Sequence, residues 1–301
     1  MPSPRTARFG AVVTAMVTPF DDEGELDIDA AVNLARWLAD HGSDGLVLAG
    51  STGEGTSLTD QEKLQLWGEV GRAVTIPVLA GTGTADTAHS IELSKHATAA
   101  GVAGLLVVTP YYSRPSQAGL IGHFEAVASA TDLPVLLYDI PVRSGRRIEH
   151  ETMLHLANQG SNIVGVKAAS GNLSDISRLV AQAPRSFEVY SGDDPLTLPI
   201  VAVGGVGIIS VISHWAGVEL GELVALTLKG DLEGAQLVDA RLQESYSFMA
   251  SDQYPNPVPA KAVCRRLGLP VGQCRLPLGA VGPELDEAAG QMLARLGVID
   301  G

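Results

Sequence analysis

The residues of this chain best suited to chemistry are a lysine, a few tyrosines, an arginine and several small hydroxyls, each just beyond an apolar run. Lys167 ends the run IVGVKAA at residues 163–169. A strand buried on both faces normally stops at Gly, Asn or Asp, and delivering an ammonium to its end costs desolvation. One reading is a lysine snorkelling from the sheet into water. The other is an amine that forms a Schiff base with a carbonyl substrate. The remaining run ends supply Thr18, Ser51, Thr52, Thr82, Tyr111, Tyr112, Tyr138, Arg143, Ser191, Asp193, Asp194 and Ser210. Hydroxyls with one lysine and one arginine suit proton relay and a carbonyl compound that carries a carboxylate. Apart from the two aspartates, the set offers little to a metal.

Other motifs fail on chemistry. GSTGEGTS at 50–57 has the glycine spacing of a phosphate loop, but Thr56 stands where the lysine belongs. Gly81, Gly83 and Asp86 lack the third glycine of a dinucleotide fingerprint. His150 and His155 are five residues apart, off the shared helix face of a zinc motif. Asp193 and Asp194 would repel a phosphate in the loop after the seventh run, which disfavours a pyridoxal phosphate enzyme or a phosphosugar substrate. No cofactor and no metal is expected.

The elements that must position these groups recur along the chain. The runs AVVTAMVT, GLVLAG, PVLAG, GLLVVT, PVLLY, IVGVK, FEVYS and GIISVIS end at Thr18, Gly50, Gly81, Thr109, Tyr138, Lys167, Tyr190 and Ser210, 20 to 32 residues apart. That spacing fits one strand, one helix and two short loops. Helical patterns fill the gaps. Ala31, Leu34, Ala35 and Leu38 share one face after a candidate N-cap at Asp29, and Thr59 with Glu62 makes a capping box. Further helices are expected over 86–101, 116–130, 149–160, 174–183, 195–203 and 216–229. Eight strands alternating with eight helices predict an α/β fold, a closed (β/α)8 TIM barrel, with reactive groups at the C-terminal strand ends. Three helical patterns over 232–249, 258–267 and 283–296 then predict a C-terminal helical domain, so the organisation reads 1–230 catalytic barrel and 231–301 helical domain.

Composition narrows the partners. Hydrophobic residues at 46% and charged residues at 18% describe a folded globular chain, and a net charge of −14 argues against nucleic acid or an anionic membrane. Arg5 and Arg8 precede an apolar stretch, but Pro19, Asp21, Asp22 and Glu23 follow it, so it reads as a first strand and no leader. No window reaches the roughly 20 apolar residues of a membrane helix. Two cysteines, Cys264 and Cys274, fit a reducing cytoplasm as buried apolar groups.

In order along the chain, AMVTPF (15–20), GSTGE (50–54), VVTPYYSRPSQ (107–117), LLYDIPVRSG (136–145), IVGVKAASGN (163–172), YSGDD (190–194) and NPVPAKAV (256–263) resemble the dihydrodipicolinate synthase / N-acetylneuraminate lyase family of class I aldolases. The resemblance implies that Lys167 condenses with pyruvate. It implies that Tyr138 relays protons through Ser51 to Tyr112 of a neighbouring subunit, and that Thr52 and backbone near Gly192 and Ile209 hold the pyruvate carboxylate. Arg143 would bind the carboxylate of L-aspartate 4-semialdehyde, because IPVRSG and NPVPAK match the synthase branch while the lyases generally lack that arginine. A homotetramer built as a dimer of dimers is implied. Lysine-inhibited members grip lysine with His, Asn and Glu; the matching positions here are Asp60, Lys63, Ala85 and His89, which implies weak or absent feedback. Two alternatives stand beside this: a related pyruvate-dependent aldolase or lyase acting on a sugar acid or hydroxy-oxo acid, and a non-enzymatic barrel binding a 2-oxo acid.

Overall fold

Short runs rich in Val, Ile and Leu, bounded by Gly, Pro and polar residues, favour strands over helices. The computed structural model, which describes residues 7–299, makes each of the eight runs a parallel strand. They are β1 (Val12–Ala15), β2 (Gly45–Leu48), β3 (Val78–Gly81), β4 (Gly104–Val108), β5 (Val135–Asp139), β6 (Ile163–Ala168), β7 (Glu188–Ser191) and β8 (Gly207–Ser210). Neighbours pair in chain order and β8 returns to β1, so the sheet closes as a TIM barrel. Arg5 lies outside the described residues.

Helices cover the outside: α1 (Ile28–Asp40), α2 (Asp60–Ala73), α3 (Thr87–Ala99), α4 (Gln117–Ala128), α5 (Pro141–Ser144), α6 (His150–Asn158), α7 (Leu173–Gln182), α8 (Thr197–Ala202) and α9 (Ser213–Lys229). After Gly230 come α10 (Leu232–Met249), α11 (Val258–Arg266) and α12 (Pro283–Arg295). Val13, Val47, Leu79, Leu106, Leu136 and Ile209 fill the barrel. A second apolar layer lies between strands and helices and runs on into the last three helices through Val238, Val263 and Leu293. Both strand faces are buried, which is why the runs are continuous rather than alternating. Both cysteines are free and buried.

Local differences from the sequence reading have physical causes. The N-cap of α1 is Asp27, whose carboxylate accepts from Ala30 N–H at 2.9 Å; Asp29 sits in the first turn, where a carboxylate suits the helix dipole. The capping box at Thr59 and Glu62 forms as expected. β1 is shorter than its run, because Val17 N–H turns to His214 Nε2 and Thr18 Oγ1 donates to Gly53 O. α9 begins at Ser213, three residues before the expected 216, and kinks at Ala216 (φ −128°, ψ 31°). The four-residue α5 was not foreseen. It begins with Pro141 and stops at Gly145 (φ 72°), a left-handed position that suits glycine.

Candidate active site

Strand register brings the sixth run end beside its neighbours. Lys167 lies opposite Tyr138 on β5 and Tyr190 on β7, so the three residues share the inner face. Lys167 is 4% exposed, and its Nζ sits 4.5 Å from the centre of the Tyr138 ring. The turn after β7 leaves room for it: a Cβ on Gly192 would fall 2.8 Å from Lys167 Cγ and 3.1 Å from Cε. The Gly192 N–H donates to Ala168 O at 2.8 Å. Gly192 therefore contributes space for the lysine, and its amide is already committed. Ile209 is buried in the barrel lining on β8, paired with Val13.

Burial makes an ammonium costly, and the Arg143 guanidinium adds repulsion, while Asp194 pulls the other way. The result lowers the Lys167 pKa from 10.5 to about 8. Tyr138 moves in the opposite sense. Burial pushes its phenol up to about 12, despite the nearby Arg143 charge and a hydrogen bond with Ser51. A neutral amine thus becomes accessible near physiological pH beside a phenol that keeps its proton, which is a nucleophile paired with an acid.

The turn after β2 carries Ser51 and Thr52. Flanking it, Ala49 (φ 54°) and Glu54 (φ 53°) hold left-handed conformations that cost non-glycine residues about 1 kcal/mol or more each. The turn closes with Glu54 N–H to Ser51 O and Gly55 N–H to Gly50 O. The Ser51 and Thr52 amides have no acceptor among the described residues, so they are free to meet an anion. Glu54 is what fixes the turn. Its carboxylate lies 2.8 Å from Lys261 Nζ with both side chains fully buried, and it also accepts from Arg275 N–H at 2.9 Å.

Arg143 stands on α5, on the opposite rim. Asp139 helps place that helix, since its buried carboxylate accepts from Ile148 N–H at 2.9 Å and ties the chain beyond α5 back to β5. Asn256, ahead of α11, joins the two sides of the mouth. Its Nδ2 donates to Thr52 Oγ1 at 3.0 Å, and its carbonyl accepts from Arg143 Nη2 at 3.1 Å. The sequence carried a sign of this residue in NPVPAK, but gave no way to see that it bridges Thr52 and Arg143.

A cleft of about 620 Å³ opens above these groups, bordered by Ser51, Tyr111, Tyr112, Tyr138, Arg143 and Asn256. Tyr112 lies at its rim, 94% exposed and with φ 70°, and among the described residues no hydrogen bond joins it to Ser51. The far wall holds the expected effector positions Asp60, Lys63 and His89. His89 Nε2 lies 2.8 Å and Lys63 Nζ 3.7 Å from Asp60. Ser51, Thr52, Tyr138, Arg143, Lys167, Gly192 and Ile209 therefore gather at one end of the barrel.

The closed parallel barrel gathers a buried amine, a phenol and an arginine at its C-terminal mouth, and its relatives make it a TIM-barrel lyase. The chain belongs to the Dihydrodipicolinate synthetase family, whose model matches residues 8–295. Among curated relatives, the 4-hydroxy-tetrahydrodipicolinate synthase of Moorella thermoacetica is 51% identical over 94% of this chain and 97% of its own. The enzyme of that name from Mycobacterium leprae is 48% identical over 96% and 95%. Among solved structures, the enzyme from Cyanidioschyzon merolae with lysine bound superposes with a TM-score of 0.93 at 40% identity, covering 97% of this chain and 99% of its own. Dihydrodipicolinate synthase from Aquifex aeolicus gives 0.92 at 36% identity, covering 96% and 99%.

Proposed function

We propose that this chain condenses pyruvate with L-aspartate 4-semialdehyde through a Schiff base, giving 4-hydroxy-tetrahydrodipicolinate, the first committed step towards diaminopimelate and lysine. The observation that carries the reading is the buried Lys167 amine over the Tyr138 ring, with its pKa lowered to about 8, in a chain about half identical to a synthase of that name. The neutral amine adds to the ketone carbon. The ketone oxygen leaves as water with one proton from the amine nitrogen and one from Tyr138, which leaves an iminium and a phenolate. The phenolate then removes a methyl proton, and the resulting enamine carbon attacks the aldehyde. Thr52 and the free amides of its turn hold the pyruvate carboxylate, with the backbone at Gly192 and Ile209 bordering the ketone. Arg143 holds the aldehyde's carboxylate by its planar fork.

The same reading takes Tyr112 as the end of the relay from Tyr138 through Ser51, supplied by a second copy, which fits its exposure at the rim. It includes a homotetramer, a cytoplasmic location, and the division into a barrel over 1–230 and a helical domain over 231–301. Among the described residues no helix is long and apolar enough to cross a membrane.

Borohydride reduction with pyruvate, followed by peptide mass mapping, should add the reduced three-carbon unit to Lys167. Protein that carries no adduct, or carries it elsewhere, would refute the mechanism. A coupled assay should then favour aspartate semialdehyde over aldehyde sugars, and the reverse preference would move the chain to a sugar-acid aldolase.

A further inference from the structure

Asp194 is a half-buried carboxylate that has no part in the mechanism above. It follows β7 in the one-turn 3-10 helix Asp194–Leu196, two residues after the glycine that lies against Lys167. Every group on its carboxylate is a donor: Ser210 Oγ at 2.5 Å, Val211 N–H at 3.2 Å and the Ile212 N–H. Ser210 is held in turn by Ser213 N–H at 3.0 Å, and Thr197 Oγ1 fixes the Asp194 carbonyl at 2.7 Å. Burial pushes the Asp194 pKa up, but a cradle made only of donors fits the ionised form, and the Lys167 charge favours it too.

We infer that the Asp194 carboxylate is the counter-ion of the Lys167 imine, a positioning residue that keeps the imine nitrogen protonated without touching substrate. The inference rests on the Schiff-base reading. In that chemistry the imine must stay cationic to draw electrons from the methyl C–H bond. Around Lys167 the charged and titratable groups are Tyr138 from β5, Tyr190 from β7, Arg143 from α5 and Asp194 from the turn after β7; Asp193 of that turn acts on Tyr138, and Asp194 acts on Tyr246 of α10. Arg143 acts on the nitrogen to expel a proton and Asp194 acts to retain it. The price of retaining it is a smaller neutral fraction of the resting lysine. The carboxylate thus moves both ends of the pH profile, since the resting amine and the imine share one nitrogen.

The test is the pH profile of proton exchange at the pyruvate methyl group, followed by NMR in heavy water without aldehyde, in wild type and Asp194→Asn. The acid limb reports the amine and the alkaline limb reports the imine. Both should move to lower pH by about one unit or more in the variant, the size expected on losing a nearby opposite charge. Exchange should rise on the acid side of the wild-type optimum and fall on its alkaline side. Asp194→Glu, which restores the charge, should return the limbs towards wild type. Limbs that stay in place while the amplitude drops would make Asp194 only a turn anchor and overturn the inference. If Asp194→Asn does not fold, Ser210→Ala serves instead. Losing that donor raises the carboxylate's proton affinity, so the limbs should move in the same direction by less, and unmoved limbs refute. Wild type that forms no borohydride-trapped adduct defeats the imine itself, whereas an adduct with unmoved limbs in the variants defeats only the counter-ion.

Discussion

Replacing the nucleophile should make the protein more stable. Lys167 is 4% exposed and titrates near 8 in the fold, against 10.5 for an unperturbed lysine. The unfolded chain therefore holds its proton more tightly, and folding works against that preference at every pH below 8. The folded pKa is the depressed one, so the lysine's penalty is complete below pH 8 and fades as pH rises from 8 to 10.5. Two and a half units at about 1.4 kcal/mol each give a penalty of about 3 kcal/mol at pH 7 and well under 1 kcal/mol at pH 10.5. Lys167→Met keeps a similar volume, removes the charge and abolishes turnover. In urea melts at matched protein concentration, the variant should exceed wild type by about 3 kcal/mol at pH 7, and the gap should close at high pH. The difference between the two proteins cancels the shared titrating groups that do not feel the Lys167 charge, which leaves Asp194 as the group that shifts with it. A variant less stable than wild type at pH 7, or a gap constant with pH, would mean that the amine is not held at a depressed pKa and that the argument for a neutral nucleophile fails.

Tyr138→Phe keeps the ring under Lys167 but removes the proton carrier, so kcat should fall by about 10²- to 10⁴-fold in a coupled assay while the adduct with pyruvate, trapped by borohydride over long times, still forms on Lys167. Arg143→Ala should raise KM for the aldehyde and, because its charge helps depress the Lys167 pKa, move the limbs of methyl exchange in pyruvate alone to higher pH while exchange at the optimum persists; abolished exchange at every pH would place the arginine in the first half-reaction. Gly192→Ala forces a methyl to within 2.8 Å of Lys167 Cγ and should depress kcat at least tenfold with little loss of fold, as read by circular dichroism. L-Lysine should inhibit weakly or not at all, because Lys63, partnered with Asp60 on the cleft wall, repels the ligand's ammonium groups; strong inhibition below millimolar lysine in a steady-state assay would refute this.

Much of the barrel was legible because burial on both faces leaves continuous apolar runs, and strand ends are where polar residues interrupt them. Lys167, Tyr138 and Arg143 stood out for that reason. What escaped depended on contacts far apart in sequence. Asp27 and Asp29 are both plausible caps, and only the backbone path before α1 decides between them. Val211 and Ile212 continue an apolar pattern that reads as strand, yet their amides turn onto Asp194, 17 residues earlier in the case of Val211, and α9 starts directly after them. Asp194 itself was visible, but its sign suggested only a site hostile to phosphate; its facing donors come from the end of β8. Asn256 and Thr52 meet across 204 residues, a pairing that no local pattern encodes.

The buried pair between Glu54 and Lys261 restricts how this chain can be recombined with its relatives. Breaking one side of such a pair strands a charge away from water and costs about 3–5 kcal/mol. The glutamate belongs to the loop that presents Ser51 and Thr52, while the lysine belongs to α11, more than 200 positions later. A chimaera that joins this barrel to the terminal helices of another member must therefore inherit both partners together, along with Arg275, whose guanidinium donates to Ser57 O and the Glu62 carboxylate beside the same loop. The last three helices are not an interchangeable module, and a junction between them and the barrel should cost substrate handling at the mouth even where both halves fold.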